Sequence, residues 1–174
     1  ETINTPIFTQ LDADKLFLVT DFLTTFVLAG ESFNGKAVKN LKLAVYAPNL
    51  TRNSGSDYNI RVYVFEDTPC ALFYCAEQEK RLGGVLIGDP KSLWFQDGGS
   101  SLCLSLEDIG VGWKAKPNSS YQEIPFSHVW GASSNSLHCS FTLEQTDSIN
   151  DLEFKINVYQ KMNPSHKQVF SMKS

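Results

Sequence analysis

The sequence lacks a stripe of basic residues, a long apolar run and the positively charged N-terminal region of a signal peptide. Its 15 Lys and Arg and 19 Asp and Glu residues give a net charge of -4 at pH 7, spread along the chain. With no basic stripe to neutralise phosphates, we expect no nucleic-acid partner. No segment reaches the roughly 18 apolar residues of a membrane-spanning helix, and the first residues do not resemble a signal peptide. We therefore expect no direct membrane insertion by this chain.

Cysteine and histidine are scarce, with four and three residues. The even number of cysteines allows two disulfides in an oxidising compartment, but a domain of this size gains enough from burial without them. We favour free, reduced thiols at Cys70, Cys75, Cys103 and Cys139. No His-x-x-x-His or Cys-x-x-Cys spacing occurs, so the sequence predicts no metal site.

Motifs of the common enzyme classes are also missing. The sequence has no Gly-x-Ser-x-Gly elbow, no phosphate-binding Gly-x-x-x-x-Gly-Lys-Ser/Thr loop and no dinucleotide-binding Gly-x-Gly-x-x-Gly turn. His138 and Cys139 are neighbours on a predicted strand, where their side chains point to opposite faces and cannot form a catalytic pair. We predict no catalytic residues and no cofactor. A hydrolase formed by long-range pairing of a thiol and an imidazole stays open.

Strict alternation of apolar and polar residues is the strongest pattern in the sequence. It recurs in five segments, each typical of a strand with one buried face. They are Leu41 to Val45, Ile60 to Val64, Leu102 to Leu106, Leu137 to Leu143 and Leu152 to Val158. Asp97-Gly98-Gly99-Ser100 is predicted to form a hairpin tip. The fold class predicted is all-β: an antiparallel β-sandwich with one short helix.

One segment breaks the β pattern and predicts the helix. Thr68 can cap it, Pro69 suits its first position, and Gly83-Gly84 can end it. Its apolar face consists of Leu72, Cys75 and Ala76. Because this face is small, we expect the helix to plug an open end or edge of the sandwich.

The first 29 residues contain three further strand candidates. They lie around Ile7 to Leu11, Leu16 to Val19 and Thr24 to Ala29, and the turn signal Asn34-Gly35 follows. A segment this short cannot form an independent core. We therefore interpret it as the end of a preceding domain followed by a connector.

The stretch from Tyr121 to Trp130 is the candidate partner-binding site. It combines aromatic residues, a proline and one acid in a segment predicted to be extended at a sheet edge. The residues predicted to bind a partner are Tyr121, Glu123, Pro125, Phe126, His128 and Trp130. The alternative is that Ile124, Phe126 and Trp130 complete the core, and both can hold for different faces of one strand.

Several of these segments together resemble the UPA domain of netrin receptors of the UNC-five kind, a domain also found in ankyrins and in the death-domain protein PIDD. The matching segments are Arg61-Val62-Tyr63, Glu66-Asp67-Thr68-Pro69, Ala71-Leu72, Leu82-Gly83-Gly84, Asp89-Pro90-Lys91, Tyr121 to Phe126, His128-Val129-Trp130, Leu137-His138-Cys139 and Phe141-Thr142-Leu143-Glu144. Glu1-Thr2 and Gly30-Glu31-Ser32 are similar to the last strands of the ZU domain that precedes UPA. The resemblance implies that residues 1–36 form the last strands of a ZU domain plus a connector, and that residues 37–174 form the UPA domain.

The resemblance implies a non-catalytic module on the cytoplasmic side of the plasma membrane. Its expected partners are the ZU and death domains of the same protein and intracellular signalling proteins, whereas netrin would be reached only through an extracellular part. In self-cleaving relatives a His-Phe-Ser triplet ends the ZU domain. Asp21-Phe22-Leu23 stands in its place here, so autoprocessing is expected to be absent.

Three alternatives stay open. An ankyrin-like or PIDD-like UPA domain would serve as a scaffold module, and the flanking sequence would decide it. A secreted ligand-binding sandwich would carry disulfides and glycans, for which Asn49-Leu50-Thr51 and Asn118-Ser119-Ser120 are acceptor patterns. The hydrolase named above would show a thiol that reacts with activity-based labels.

Overall fold

The computed structural model describes residues 8–12, 15–19, 37–50, 57–131, 137–147 and 151–174. The chain divides into two compact units, Glu1–Glu31 and Ser32–Ser174. In the first unit, strands β1 (Phe8–Asp12) and β2 (Lys15–Val19) form an antiparallel hairpin. Two of the three predicted N-terminal strands are thereby confirmed. The third, Thr24 to Ala29, lies outside the described residues.

The second unit contains two antiparallel sheets. The larger is built from β3 (Val38–Pro48), β4 (Asp57–Glu66), β5 (Gly84–Leu86), β6 (Lys91–Gln96), β8 (Trp113–Ala115) and β10 (Leu137–Gln145). Its strand order is β5-β3-β4-β10-β8, and β6 also pairs with β3. The smaller is built from β7 (Leu102–Glu107), β9 (Tyr121–Ile124), β11 (Glu153–Gln160) and β12 (Gln168–Lys173), in the order β12-β11-β7-β9.

One apolar core lies between the two sheets. It takes every second residue of the long strands, because successive side chains of a strand point to opposite faces. Its fully buried members include Leu43, Ile60, Val62, Leu102, Leu104, Phe141, Phe154, Ile156 and Val158. All five alternating segments of the sequence contribute to this core. The predicted antiparallel β-sandwich is therefore confirmed.

The predicted hairpin at Asp97 to Ser100 is wrong. The strand before it, β6, pairs with β3 in the larger sheet, whereas the strand after it, β7, pairs with β11 in the smaller one. The segment therefore carries the chain from one sheet to the other. A glycine-rich turn composition does not distinguish such a crossing from a hairpin, because both need positive φ angles.

The predicted helix is confirmed as α1 (Pro69–Leu82). The hydroxyl oxygen of Thr68 accepts a hydrogen bond from the Ala71 N–H at 3.4 Å, and Gly83 ends the helix with φ of 72°. A residue with a Cβ is strained at that angle, which explains the glycine.

The predicted position of α1 is wrong, because the helix lies on the outer face of the larger sheet. It covers a second apolar cluster, which we name the outer cluster; its buried members are Ala44, Tyr46, Tyr63, Phe65 and Cys75. In the centres of β3 and β4 both faces are buried, so these strands need a cover on the outside.

A second short helix, α2 (Phe126–Trp130), was not predicted. It follows β9 directly and begins after Pro125, which occupies the N-cap position. Within the described residues, no helix is both long and apolar enough to cross a membrane.

Candidate docking surface

The structure places five of the six predicted partner-binding residues on two elements, with Pro125 between them. Tyr121 and Glu123 lie on β9, an edge strand of the smaller sheet, and both are exposed. Phe126, His128 and Trp130 lie on α2 rather than on an extended strand, so the extended prediction fails beyond Ile124. The cause is Pro125: it cannot continue a hydrogen-bonded ladder, but it is compatible with a helix start.

Tyr121 and Glu123 form a polar cluster on the outer face of the smaller sheet. The Tyr121 hydroxyl lies 3.1 Å from Cys103 Sγ and 3.1 Å from Glu123 Oε2. The Lys161 ammonium donates to both oxygens of Glu123, at 3.1 and 3.2 Å. Each member of the cluster is held by its neighbours, and Tyr121 is still 46% exposed.

The electrostatics of this cluster follow from those contacts. Hydrogen bonds from Ser101 and then Lys161 lower the pKa of Glu123, so the carboxylate is charged at neutral pH. The hydrogen bond with Cys103, followed by desolvation, raises the pKa of Tyr121, whose phenol is therefore neutral. The surface offers an anion already paired with a lysine, beside a neutral aromatic hydroxyl.

Phe126 and Trp130 are partly buried and pack against the core. Their rings stack with centroids 5.3 Å apart, and Phe126 stacks on the fully buried Phe95 at 5.5 Å. Ile124 is buried as well. The alternative considered for these three residues, that they complete the core, is thus confirmed.

The exposed residues of this region are Tyr121, Glu123, Pro125 and His128, which we name the β9–α2 surface. A lysine from β3 supports its helical part. The Lys39 ammonium donates to the carbonyls of Val129 and Trp130, at 3.2 and 3.1 Å, and forms an ion pair with Glu66 at 2.9 Å. A cation at this position satisfies the carbonyl groups at the C-terminal end of α2.

The UPA domain family model matches residues 37–174, from the residue before β3 to the end of the chain. The chain belongs to the UPA domain family. UPA domains are protein-interaction modules rather than catalytic ones. The match includes both sheets, α1 and the whole β9–α2 surface of the second unit.

Beneath α1, the UPA domain holds a buried ion pair that sequence reasoning missed. Arg61 donates from Nε and Nη2 to the two oxygens of Glu79, each at 2.6 Å, and the Tyr63 hydroxyl donates to Glu79 Oε1 at 2.6 Å. Glu79 is 0% exposed. We name these three residues the Glu79 cluster.

One signal could have revealed the cluster. Glu79 follows Cys75 by one helical turn, so it lies on the face that was predicted to be apolar. Ala76, which was assigned to that face, is exposed instead. The bonds to Glu79 raise the pKa of Arg61, and desolvation with the Glu79 bond raises the pKa of Tyr63, so the cation and the neutral phenol are both retained.

Gly84, just after α1, has to be glycine because of this cluster. A Cβ built there would lie 1.8 Å from Glu79 Oε2 and 2.9 Å from Arg61 Nη2. The backbone therefore approaches the ion pair more closely than any side chain allows. The glycine pair read as a helix stop has two separate reasons: a left-handed angle at Gly83 and close packing at Gly84.

The thiols and imidazoles of the UPA domain are arranged as the strand geometry predicts. Cys139 faces the core, whereas His138 is exposed on the opposite face, its ring 5.5 Å from that of Tyr63. Burial raises the pKa of Cys139, which disfavours the nucleophilic thiolate. None of the four cysteines forms a disulfide, and only Cys70 is exposed.

In the parts of the chain that the structure describes, no three His, Cys, Asp or Glu side chains are placed to hold a metal ion. The triplet Asp21-Phe22-Leu23, for which autoprocessing was predicted to be absent, lies outside those parts. The absence of autoprocessing at this triplet therefore stays a prediction.

Proposed function

We propose that the chain is the UPA module of a netrin-receptor-like protein of the UNC-five kind. In this proposal it packs against the ZU and death domains of the same protein and regulates axon-guidance or apoptotic signalling. The observation that carries the proposal is the family match over residues 37–174. The finer assignment is supported by the segments that resemble these receptors, among them His128-Val129-Trp130.

The proposed location is the cytoplasmic side of the plasma membrane. Netrin would then act on this module only through an extracellular part of the receptor, and the direct partners would be intracellular signalling proteins. No cofactor is required. An ankyrin-like or PIDD-like protein would account equally for the family match, and the flanking reading frame decides between them. A preceding membrane span and a following death domain support the receptor, whereas flanking repeats support an ankyrin.

We place the proposed contact with the death domain at the β9–α2 surface. Tyr121 and Pro125 supply apolar area, and Glu123 and His128 supply polar contacts at the rim. Phe126 and Trp130 contribute by holding α2 against Phe95. Regulation would be a population shift, because domains packed against this surface in a closed assembly hide it and an open assembly exposes it.

Replacing Glu123 and His128 together with Ala tests this placement. Both residues are exposed, and exposed ion pairs such as Glu123–Lys161 contribute about 0–1 kcal/mol, so the melting temperature should stay nearly unchanged. Binding of the separately purified death domain, measured by titration calorimetry, should weaken by about tenfold or more.

The matched control is the variant with Glu153 and His166 replaced by Ala. It removes the same residue types from exposed positions elsewhere, where Glu153 pairs with Lys173 at 3.5 Å. The control should bind the death domain like the unmodified chain. Equal affinity for all three proteins would refute the placement at the β9–α2 surface.

A further inference from the structure

The outer edge of β6 carries backbone groups that β3 does not pair. The Asp97 N–H donates to the Ala37 carbonyl at 2.8 Å, which fixes the alternation of the antiparallel ladder between β3 and β6. Counting back from that bond, the N–H and C=O groups of Ser92, Trp94 and Gln96 point away from β3. These three residues therefore form an exposed strand edge.

Two glutamine side chains close this edge at both ends. The Gln160 amide accepts from the Gln96 N–H at 2.8 Å and donates to the Gln96 carbonyl at 2.7 Å. The Gln168 amide donates to the Ser92 carbonyl at 2.9 Å. A side-chain amide holds one donor and one acceptor group, so Gln160 imitates a residue of a neighbouring strand. Gln96 is thus protected against pairing with another chain, and at Ser92 the carbonyl is occupied.

Trp94 lies in the gap between the two glutamines. Its outward N–H and C=O have no hydrogen-bond partner in the described part of the chain, and the residue is 75% exposed. An unpaired donor and acceptor on a strand edge form a template for one residue of an added strand. The gap therefore has the width of a single β-bridge.

A groove opens beside Trp94, between β6 and the loop that joins β11 to β12. Its volume is about 620 Å³, and its lining includes Val38, Trp94, His166 and Lys167. This volume is within the range of ligand-binding clefts in proteins. We name it the Trp94 groove.

The charge of the Trp94 groove differs from that of the rest of the chain. Its described lining contains a lysine and a histidine but no Asp or Glu, although the chain carries a net charge of -4. Among the described lysines, those that form ion pairs are Lys39, Lys42, Lys80, Lys114, Lys116, Lys155, Lys161 and Lys173. Lys167 is exposed and has no acidic partner within the described residues. It is a cation open to an external carboxylate.

We propose that the Trp94 groove binds an extended acidic peptide segment of a partner protein. One peptide residue pairs with the N–H and C=O of Trp94, the indole ring covers a neighbouring peptide side chain, and a peptide carboxylate pairs with Lys167. Charge complementarity with Lys167 favours an acidic peptide. Pairing with the backbone N–H and C=O of Trp94 requires the peptide to be extended. The groove shares no residue with the β9–α2 surface, so the proposal does not depend on the proposed death-domain contact.

Selection from a display library of short random peptides on the immobilised chain tests the proposal. We expect recovery of acidic, proline-poor peptides. Their synthetic copies should bind Lys167→Glu at least about tenfold more weakly than the unmodified chain. Lys80→Glu, which makes the same charge change on α1, should bind them unchanged. Recovery of basic peptides, or of no peptide sensitive to Lys167, would overturn the proposal.

Two further variants test the β-bridge itself. Trp94→Ala removes the ring and keeps the backbone N–H, whereas Trp94→Pro removes both; proline is tolerated on strand edges whose N–H faces outward. Trp94→Pro should therefore bind the selected peptides several-fold more weakly than Trp94→Ala. Equal binding by the two variants would refute the backbone pairing.

Nuclear magnetic resonance keeps the test independent of the proline variant's folding. On titration with a selected peptide, the Trp94 amide of the unmodified chain should shift and exchange more slowly with solvent. An unchanged Trp94 amide at saturation would overturn the proposal. So would a concentration-dependent dimer that Trp94→Ala abolishes, because the groove would then accept a second copy of the chain.

Discussion

At the residue scale, the Glu79 cluster shows why a charged residue can occupy a helix face predicted to be apolar. Glu79 is removed from water, but two bonds from Arg61 and one from Tyr63 satisfy its carboxylate. Hydropathy patterns treat a charge as a mark of exposure, because unpaired buried charges are costly. Its partners lie on the neighbouring strand β4 and meet Glu79 only through tertiary packing, so the hydropathy pattern of the helix could not identify them.

Removing one member of the buried pair should cost more than removing both. We expect Glu79→Ala to lower the free energy of unfolding by about 3 kcal/mol, because the partly buried Arg61 is left without its ionic partner. Adding Arg61→Met should recover part of this loss. Urea unfolding measures both effects, with the exposed Lys80→Ala as a control within about 0.5 kcal/mol of the unmodified chain. Strictly additive losses would contradict the pairing.

The close approach at Gly84 makes a second prediction. Gly84→Ala should destabilise the domain by about 1–3 kcal/mol, because its Cβ overlaps Glu79 Oε2. The same substitution in the Glu79→Ala background should cost clearly less. Urea unfolding of the two single variants and the double variant checks this coupling; an equal cost in both backgrounds would show that the overlap is not the cause.

The cysteines can be counted chemically. Cys70 is exposed, whereas Cys75, Cys103 and Cys139 are at most 8% exposed. We expect a thiol reagent to label one cysteine in the folded chain and all four in guanidinium, by intact mass. Fewer than four labelled thiols after unfolding would reveal a disulfide and favour the secreted alternative.

At the element scale, what could be predicted depends on how many faces of an element are buried. The long strands with one apolar face could be predicted, because every second residue of such a strand is apolar in the sequence. The cover on the outer cluster was missed because Ala44, Tyr46, Tyr63 and Phe65 occupy the polar half of the expected alternation. Their burial depends on packing against α1, a tertiary contact that the alternation within a strand does not show.

Helix α2 illustrates a different limit. Five residues are too few for a helical period to appear, and the carbonyls at its end are satisfied by Lys39 from β3. The sequence could identify the aromatic residues between Tyr121 and Trp130, but it could not separate Phe126 and Trp130, which support the core, from the exposed His128.

The support that Lys39 gives to α2 can be measured. Lys39→Met keeps the aliphatic stem but removes the donors to Val129 and Trp130, so we expect a loss of about 1–2 kcal/mol in unfolding free energy. Lys42→Met is the control, because its ion pair with Asp67 at 3.6 Å is partly exposed and should contribute less than about 1 kcal/mol. Equal losses in the two variants would argue against the helix-capping role.

At the scale of the whole molecule, the second unit is a β-sandwich in which a helix covers part of one outer face and side chains partly close one strand edge. One apolar core joins the sheets, α1 covers the outer face of one, and glutamine side chains close most of the β6 edge. Among the described residues, the two surfaces that we propose for partners are the β9–α2 surface and the Trp94 groove. This arrangement suits a UPA domain, whose family members act by binding other proteins.

The most direct test of the account is to map the death domain on the isotope-labelled chain by nuclear magnetic resonance. We predict that amide shifts on binding concentrate at Tyr121, Glu123 and His128, while the Trp94 amide stays unchanged. Saturable binding with shifts confined to α1 or to the Trp94 groove would contradict the assignment of the β9–α2 surface as the death-domain contact.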